Sequence, residues 1–400
     1  MIWKKRLIAA AFVLLSFLYA GGLAVWAADA DADSGFAGAA SGSASSSFDV
    51  QQYMDEQLRA SGAEDLEAPE QARDALDALE IDGVTPEKIL GITPGKMGEV
   101  LTKLAAGKLV SPLAAIAVVF GVMIVCALLD GLRTAATERT LDGVFSAVST
   151  LCIAAVIVAP IAAVIQHVGD ALKACSVFML SFIPVLSGIT VAGGQPASAT
   201  AYNMALFGVC EVVSQIAVTT IVPLLCIYLA FTIVGGVTPS LKLDGLSGGI
   251  KTVATTVLSF IVTVLVAMLT IQSLVGNAAD SVGVRAAKFA IGSFIPVVGG
   301  PLADVFSSVQ GCVRLLKTTV GTFGIVVAGF TFLPVLVETL IWMLAAKIAG
   351  AVADLLSLDK ISGILKACGT VLGLLLAIVL CFMLLIIVST TIVVMLGTGT

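Results

Sequence analysis

Six apolar stretches, near 112–129, 144–166, 212–235, 253–275, 319–344 and 368–396, constrain this chain more than any other feature. Each approaches or exceeds the roughly 20 residues that a helix needs to cross the hydrocarbon of a bilayer. Only 12% of the residues are charged, against roughly a quarter in a soluble globular protein. A water-facing surface cannot be assembled from so few charges. The expected fold is all-α: a polytopic helical membrane core over 109–400, preceded by a short helical external region.

The charge is unevenly placed. Between Asp29 and Lys108 there are 16 acidic and 6 basic residues, whereas from Leu109 onward there are 11 and 12. Residues 1–27 read as a signal peptide, with an uncleaved anchor helix as the alternative: Lys4-Lys5-Arg6 is charged, Leu7 to Tyr19 is apolar, and Ala27 offers a small residue for cleavage. Residues 28–108 are then an acidic extracytoplasmic region. Its start, 29–47, is Asp, Ala, Ser and Gly, too polar and small to form a core. Further on, Gln71 to Ile81 sets Leu76, Leu79 and Ile81 among Asp74, Asp77 and Glu80, an amphipathic helix pattern. The core opens at Ser111-Pro112, a capping residue followed by proline at a first helical position.

Two short patterns alternate along the core and suggest an internal repeat. Leu243-Asp244-Gly245-Leu246-Ser247 resembles Leu358-Asp359-Lys360-Ile361-Ser362, and a weaker copy starts at Leu141-Asp142-Gly143. Ser181-Phe182-Ile183-Pro184-Val185 recurs as Ser293-Phe294-Ile295-Pro296-Val297. Each copy of this second pattern runs into a break, Gly193-Gly194-Gln195-Pro196 in one and Gly299-Gly300-Pro301 in the other. Freed backbone groups cannot face lipid, so such breaks must be buried in protein or line a cavity. Segments 176–208 and 289–317 are therefore candidate pathway hairpins. They are read either as re-entrant or broken helices, or as ordinary helical hairpins bent by Pro184 and Pro296.

With 28–108 outside, the Leu-Asp loops face the cytoplasm. An aspartate at the start of each return helix, Asp142, Asp244 and Asp359, would cap free N–H groups and suit the helix dipole. The sharper reading makes these loops docking points for a cytoplasmic partner. Charges at membrane depth are expensive, which singles out Glu211 and Glu338 as candidate proton carriers or ion-pair members. The plainer reading puts Glu211 at the interface and Glu338 in a hydrogen bond within the bundle. His167, the sole histidine, reads as an interfacial residue and not a ligand. The eight cysteines show no CxxC or Cys/His spacing, so neither a disulfide framework nor a zinc site is expected. No phosphate-binding loop, nucleophile motif or basic nucleic-acid patch stands out, so the chain is expected to be neither an enzyme nor a nucleic-acid binder, and to carry no cofactor.

Taken together, the Leu-Asp loops, the paired SFIPV motifs with their glycine-proline followers, and the apolar tail resemble the stage III sporulation protein AE family. The similarity is strongest at Lys288 to Gly300 and at Val320-Gly321-Thr322-Phe323-Gly324, and it covers the chain from about Ser111 to Gly397. The resemblance implies a channel or scaffold subunit of a secretion-like complex between mother cell and forespore. It places the chain in the mother-cell-derived outer forespore membrane. The implied partners are the other stage III sporulation A-operon membrane proteins, a cytoplasmic secretion-type ATPase and ring-forming subunits. A self-contained secondary transporter or permease for a small solute, using Glu211 or Glu338 for ion coupling, is the alternative.

Overall fold

The computed structural model describes residues 56–78, 107, 110, 112–128, 142–238, 243, 245–268, 270 and 299–395. The expected signal peptide, the linker at 29–47, Asp244 and Pro296 lie outside the described residues. Among those described there is no strand. The helices are α1 (Glu70–Ala78), α2 (Pro112–Leu128), α3 (Asp142–Ala192), α4 (Pro196–Ile216), α5 (Val222–Val237), α6 (Gly245–Met268), α7 (Gly299–Leu355) and α8 (Asp359–Met395). A π-helical turn, Ala217–Ile221, joins α4 to α5, immediately before Pro223. Proline lacks the N–H that would continue the α-ladder, and a local π turn is one way a helix absorbs that loss.

Five helices among the described residues are long and apolar enough to cross a membrane, and they overlap five of the six expected spans. The chain is an all-α polytopic membrane protein. The remaining stretch is α2, whose 17 residues rise about 26 Å, slightly less than the ~30 Å of hydrocarbon.

The helices are longer than the apolar stretches suggested. Pro160 and Pro184 both lie inside α3, which runs unbroken for 51 residues, about 77 Å at 1.5 Å per residue. The interruption in 176–208 is therefore not at Pro184. It is confined to Gly193-Gly194-Gln195, and the segment is a helical hairpin of α3 and α4. Pro196 occupies the start of α4, where its missing N–H would be unbonded anyway. In the second segment, 289–298 lie outside the described residues. Gly299, Gly300 and Pro301 form the first turn of α7, which continues without a break to Leu355.

Both described hairpin turns are built alike. At the first, Gln195 N–H donates to Thr190 O (3.2 Å) and Gly194 N–H to Val191 O (2.9 Å), with Gly194 at φ +78°. At the second, Leu358 N–H donates to Ala353 O (2.9 Å) and Ser357 N–H to Asp354 O (3.1 Å), with Ser357 at φ +56°. This six-to-one and five-to-two pairing is the Schellman end, which needs a left-handed residue just past the helix. Glycine takes that conformation freely; serine does so against its Cβ.

The core sits around α8, which packs against α7, α3, α4 and α5. Its flank toward α7 is lined by small residues that let the backbones approach. A Cβ added at Gly369 would stand 3.3 Å from Lys347 Cγ, and one at Gly350 would stand 3.4 Å from Leu365 Cβ. Close small-residue crossings of this kind replace the hydrophobic driving force that lipid does not supply. Phe332 of α7 meets Phe382 of α8 edge to face, with centroids 5.7 Å apart. The acidic segment also joins this unit. Leu58, Ala63, Leu66, Ala72, Ala75 and Leu76 are buried, and α1 packs against α7. Leu76 thus takes the inward place its pattern predicts, while Leu79 and Ile81 lie outside the described residues.

Candidate functional site

Polar side chains bridge the apolar helices at three levels along α7, marked by Lys317, Glu338 and Asp354. At 1.5 Å per residue the successive separations are about 32 and 24 Å. The bundle is thus taller than one hydrocarbon layer of ~30 Å.

The middle level carries the buried carboxylate. Glu338 is 8% exposed, and its Oε1 lies 3.1 Å from Nδ1 of His167 on α3. Two residues that look unrelated in sequence, 171 positions apart, thereby form one site. The imidazole is half exposed, so the pair joins a desolvated carboxylate to a group that still reaches the outside. The pair ties α3 to α7 through one hydrogen bond at this level. Next in sequence, Thr339 Oγ1 is buried without a hydrogen bond. On the α3–α4 face, Ser176 Oγ donates to Glu211 Oε2 at 3.3 Å, so Glu211 is tied to the hairpin and not to Glu338.

At the hairpin-turn level, Lys317 is buried at 4% exposure, and its Nζ donates to Gln195 Oε1 at 2.7 Å. The Gly193-Gly194 break earns its place here. The turn it makes delivers Gln195 to the lysine, and a Cβ at Gly193 would come within 3.1 Å of Val313 Cγ1. Nearby, Tyr202 OH and Thr390 Oγ1 lie 3.4 Å apart in the core, linking α4 to α8.

At the Leu-Asp level, Asp359 stands exposed in the first turn of α8, where its charge suits the dipole. The side-chain donors of this level gather instead on Asp354, one turn earlier. Asp354 accepts from Ser362 Oγ and from Lys366 Nζ, the latter at 2.7 Å in the ion pair. Leu358 O accepts the N–H of Ser362 at 2.9 Å, and Leu243 O accepts that of Ser247 at the same distance. The two Leu-Asp copies thus start their helices with the same backbone bond. Asp142 likewise opens α3.

Of the residues singled out by sequence, the structure joins Glu338 to His167 and Gln195 to Lys317, and leaves Glu211 and Asp359 apart from both. Asp354 and Lys317 were missed. Lys366 and Ser362 fall within the repeated Leu-Asp pattern, but nothing local points to a carboxylate one turn before it.

Residues 86–397 match the family model for stage III sporulation protein AE. A relative of that name from Bacillus subtilis (strain 168) is 25% identical over 249 residues, 61% of each chain. The chain thus spans about three fifths of the length of the curated relative it matches. No solved structure matches. On the family match, which takes in every described helix from α2 to α8, the chain belongs to the stage III sporulation protein AE family.

Proposed function

We propose that this chain is a non-catalytic channel or scaffold subunit of a secretion-like complex between mother cell and forespore. It would sit in the mother-cell-derived outer forespore membrane. Its partners would be the other A-operon membrane proteins, a cytoplasmic secretion-type ATPase and ring-forming subunits. The observation that carries this reading is the family match over 86–397, which covers the whole membrane core. The packing supports it: long helices crossing through small residues and aromatic contacts make a stiff frame on which partners can assemble.

The test is co-purification from sporulating cells. Exchanging the Leu-Asp turn around Leu358-Asp359 for a neutral linker should remove cytoplasmic partners while the chain stays in the membrane. If those partners remain bound, the turn does not dock them.

The Glu338–His167 pair favours one other reading, a self-contained secondary transporter with a proton-linked carboxylate. Glu338→Gln separates the two. Loss of uptake of a defined solute, with sporulation and assembly intact, would replace the secretion reading by the transporter one.

A further inference from the structure

We propose that the hairpin of α4 and the second half of α3 stands in water beyond the membrane, and that a polar belt at its base lies against phospholipid headgroups. The belt is Gln166, His167, Asp170 and Lys173 of α3 with Glu211 and Gln215 of α4, all on the exposed surface. Ser176 donates to Glu211, which brings the two halves of the belt to one height. Exposed charge is costly against hydrocarbon, so the belt either bounds the apolar layer or is covered by protein.

Helix lengths decide on which side of the belt the bilayer lies. Below it, α3 runs from Val144 to Ile165 without a charge, 22 residues or about 33 Å. Three helices meet at the lower end. A Cβ built on Gly236 of α5 would stand 3.4 Å from Thr150 of α3 and 3.3 Å from Ile364 of α8. Lys366 and Asp354, paired and about half exposed, lie beside this level. From there to the belt is about 26 Å along α3, Thr150 to His167. Along α4 and α5, Gln215 to Gly236, it is about 31 Å. The two values bracket the ~30 Å of hydrocarbon.

Above the belt there is too little room for a bilayer. The acidic segment sits on the hairpin there: a Cβ built on Gly62 would stand 4.0 Å from Val185 Cγ2. Gln57 and Ser61 border the same small cavity as Gly188 and Ile189. Arg59, Glu64, Glu67 and Arg73 of that segment have side chains at least half exposed, so its level is aqueous. Only 12 residues lead from Lys173 to Val185, about 18 Å, far short of a hydrocarbon layer. Segment 176–208 therefore lines no path through the hydrocarbon. The crossing that follows α4 is made by the π-helical turn and α5.

The test compares two side chains of similar exposure at different depths, Met204 of α4 (75%) and Phe260 of α6 (67%). α6 starts at the lower level, since a Cβ on Gly235 would stand 3.6 Å from Leu243. Phe260 is about 22 Å along it from Gly245, still below the belt. The full chain carrying Phe260→Met is placed in lipid nanodiscs and exposed to hydroxyl radicals generated in the water. Met204 should be oxidised at least several-fold faster than the introduced methionine. In the unsubstituted chain, a phosphatidylcholine with a diazirine on its acyl chain should label Leu151 and Phe260 but not Leu180. Protection of Met204 together with acyl-chain label at Leu180 would put the hairpin in hydrocarbon and overturn the proposal. Protection of the hairpin from both reagents would mean that protein covers it, which also overturns its place in water.

Discussion

The ring of Phe182, from the first SFIPV motif, lies directly against the Cα of Gly324 on α7, so that any Cβ at 324 would overlap it. Phe182 also stacks on Phe178 (centroids 5.5 Å apart), which meets Phe323 edge to face at 6.5 Å. Two motifs that sequence treats separately, SFIPV and VGTFG, are thus the two halves of one helix contact.

Gly324→Ala should therefore destabilise by overpacking, about 1–3 kcal/mol, although alanine is the better helix former. Thermal unfolding in detergent micelles measures this. Adding Phe182→Leu should recover much of the loss, because the smaller side chain vacates the overlap. Equal stability of Gly324→Ala and the unsubstituted chain would contradict the contact.

Substitutions at the two hairpin turns should have opposite signs. Gly194→Ala forces a Cβ into the left-handed region and should cost about 1–2 kcal/mol. Ser357→Gly removes the same strain and should be neutral or stabilising by up to about 1 kcal/mol, while Ser357→Val should be worse than serine. Comparing melting temperatures of the three variants checks the pattern.

His167 and Glu338 should behave as a coupled pair. A double-mutant cycle with His167→Ala and Glu338→Ala should return a coupling of order 1 kcal/mol, the scale found for hydrogen bonds between membrane helices. Glu338→Gln should keep more stability than Glu338→Ala, since an amide can still bond the imidazole. Simple additivity of the two single losses would mean that the residues do not interact.

Gln195→Leu should cost about 1–3 kcal/mol, because the buried ammonium of Lys317 loses an acceptor. Gln195→Glu should cost less than Gln195→Leu, as a carboxylate can also accept from Lys317. A chemical denaturation series in micelles would rank the two.

Much of the fold was legible from local chemistry. Runs of about 20 apolar residues can be placed only in hydrocarbon, and there the backbone must close its own hydrogen bonds. Five spans, the buried place of Leu76 in its amphipathic pattern and the breaking role of Gly193-Gly194 were within reach of periodicity, length and backbone chemistry. Whether Pro184 bends or interrupts its helix is left open by local chemistry. A proline weighs against a helix locally, but α3 continues through it because packing against α4, α7 and α8 holds both sides in place.

The pairings were not legible. His167 reads as an interfacial residue and Glu338 as a lone carboxylate, since 171 intervening residues carry no sign of their meeting. Gln195 looks like part of a glycine-proline break, and no sequence pattern marks Asp354. What sequence alone determined about this protein is its solvent, its helical class and where its chain turns, because these depend on periodicity, length and backbone chemistry. Which side chains meet across the turns was decided by tertiary structure. Helix rotation and register are set by close fits such as Phe182 on Gly324, and shape complementarity between distant segments leaves no local trace.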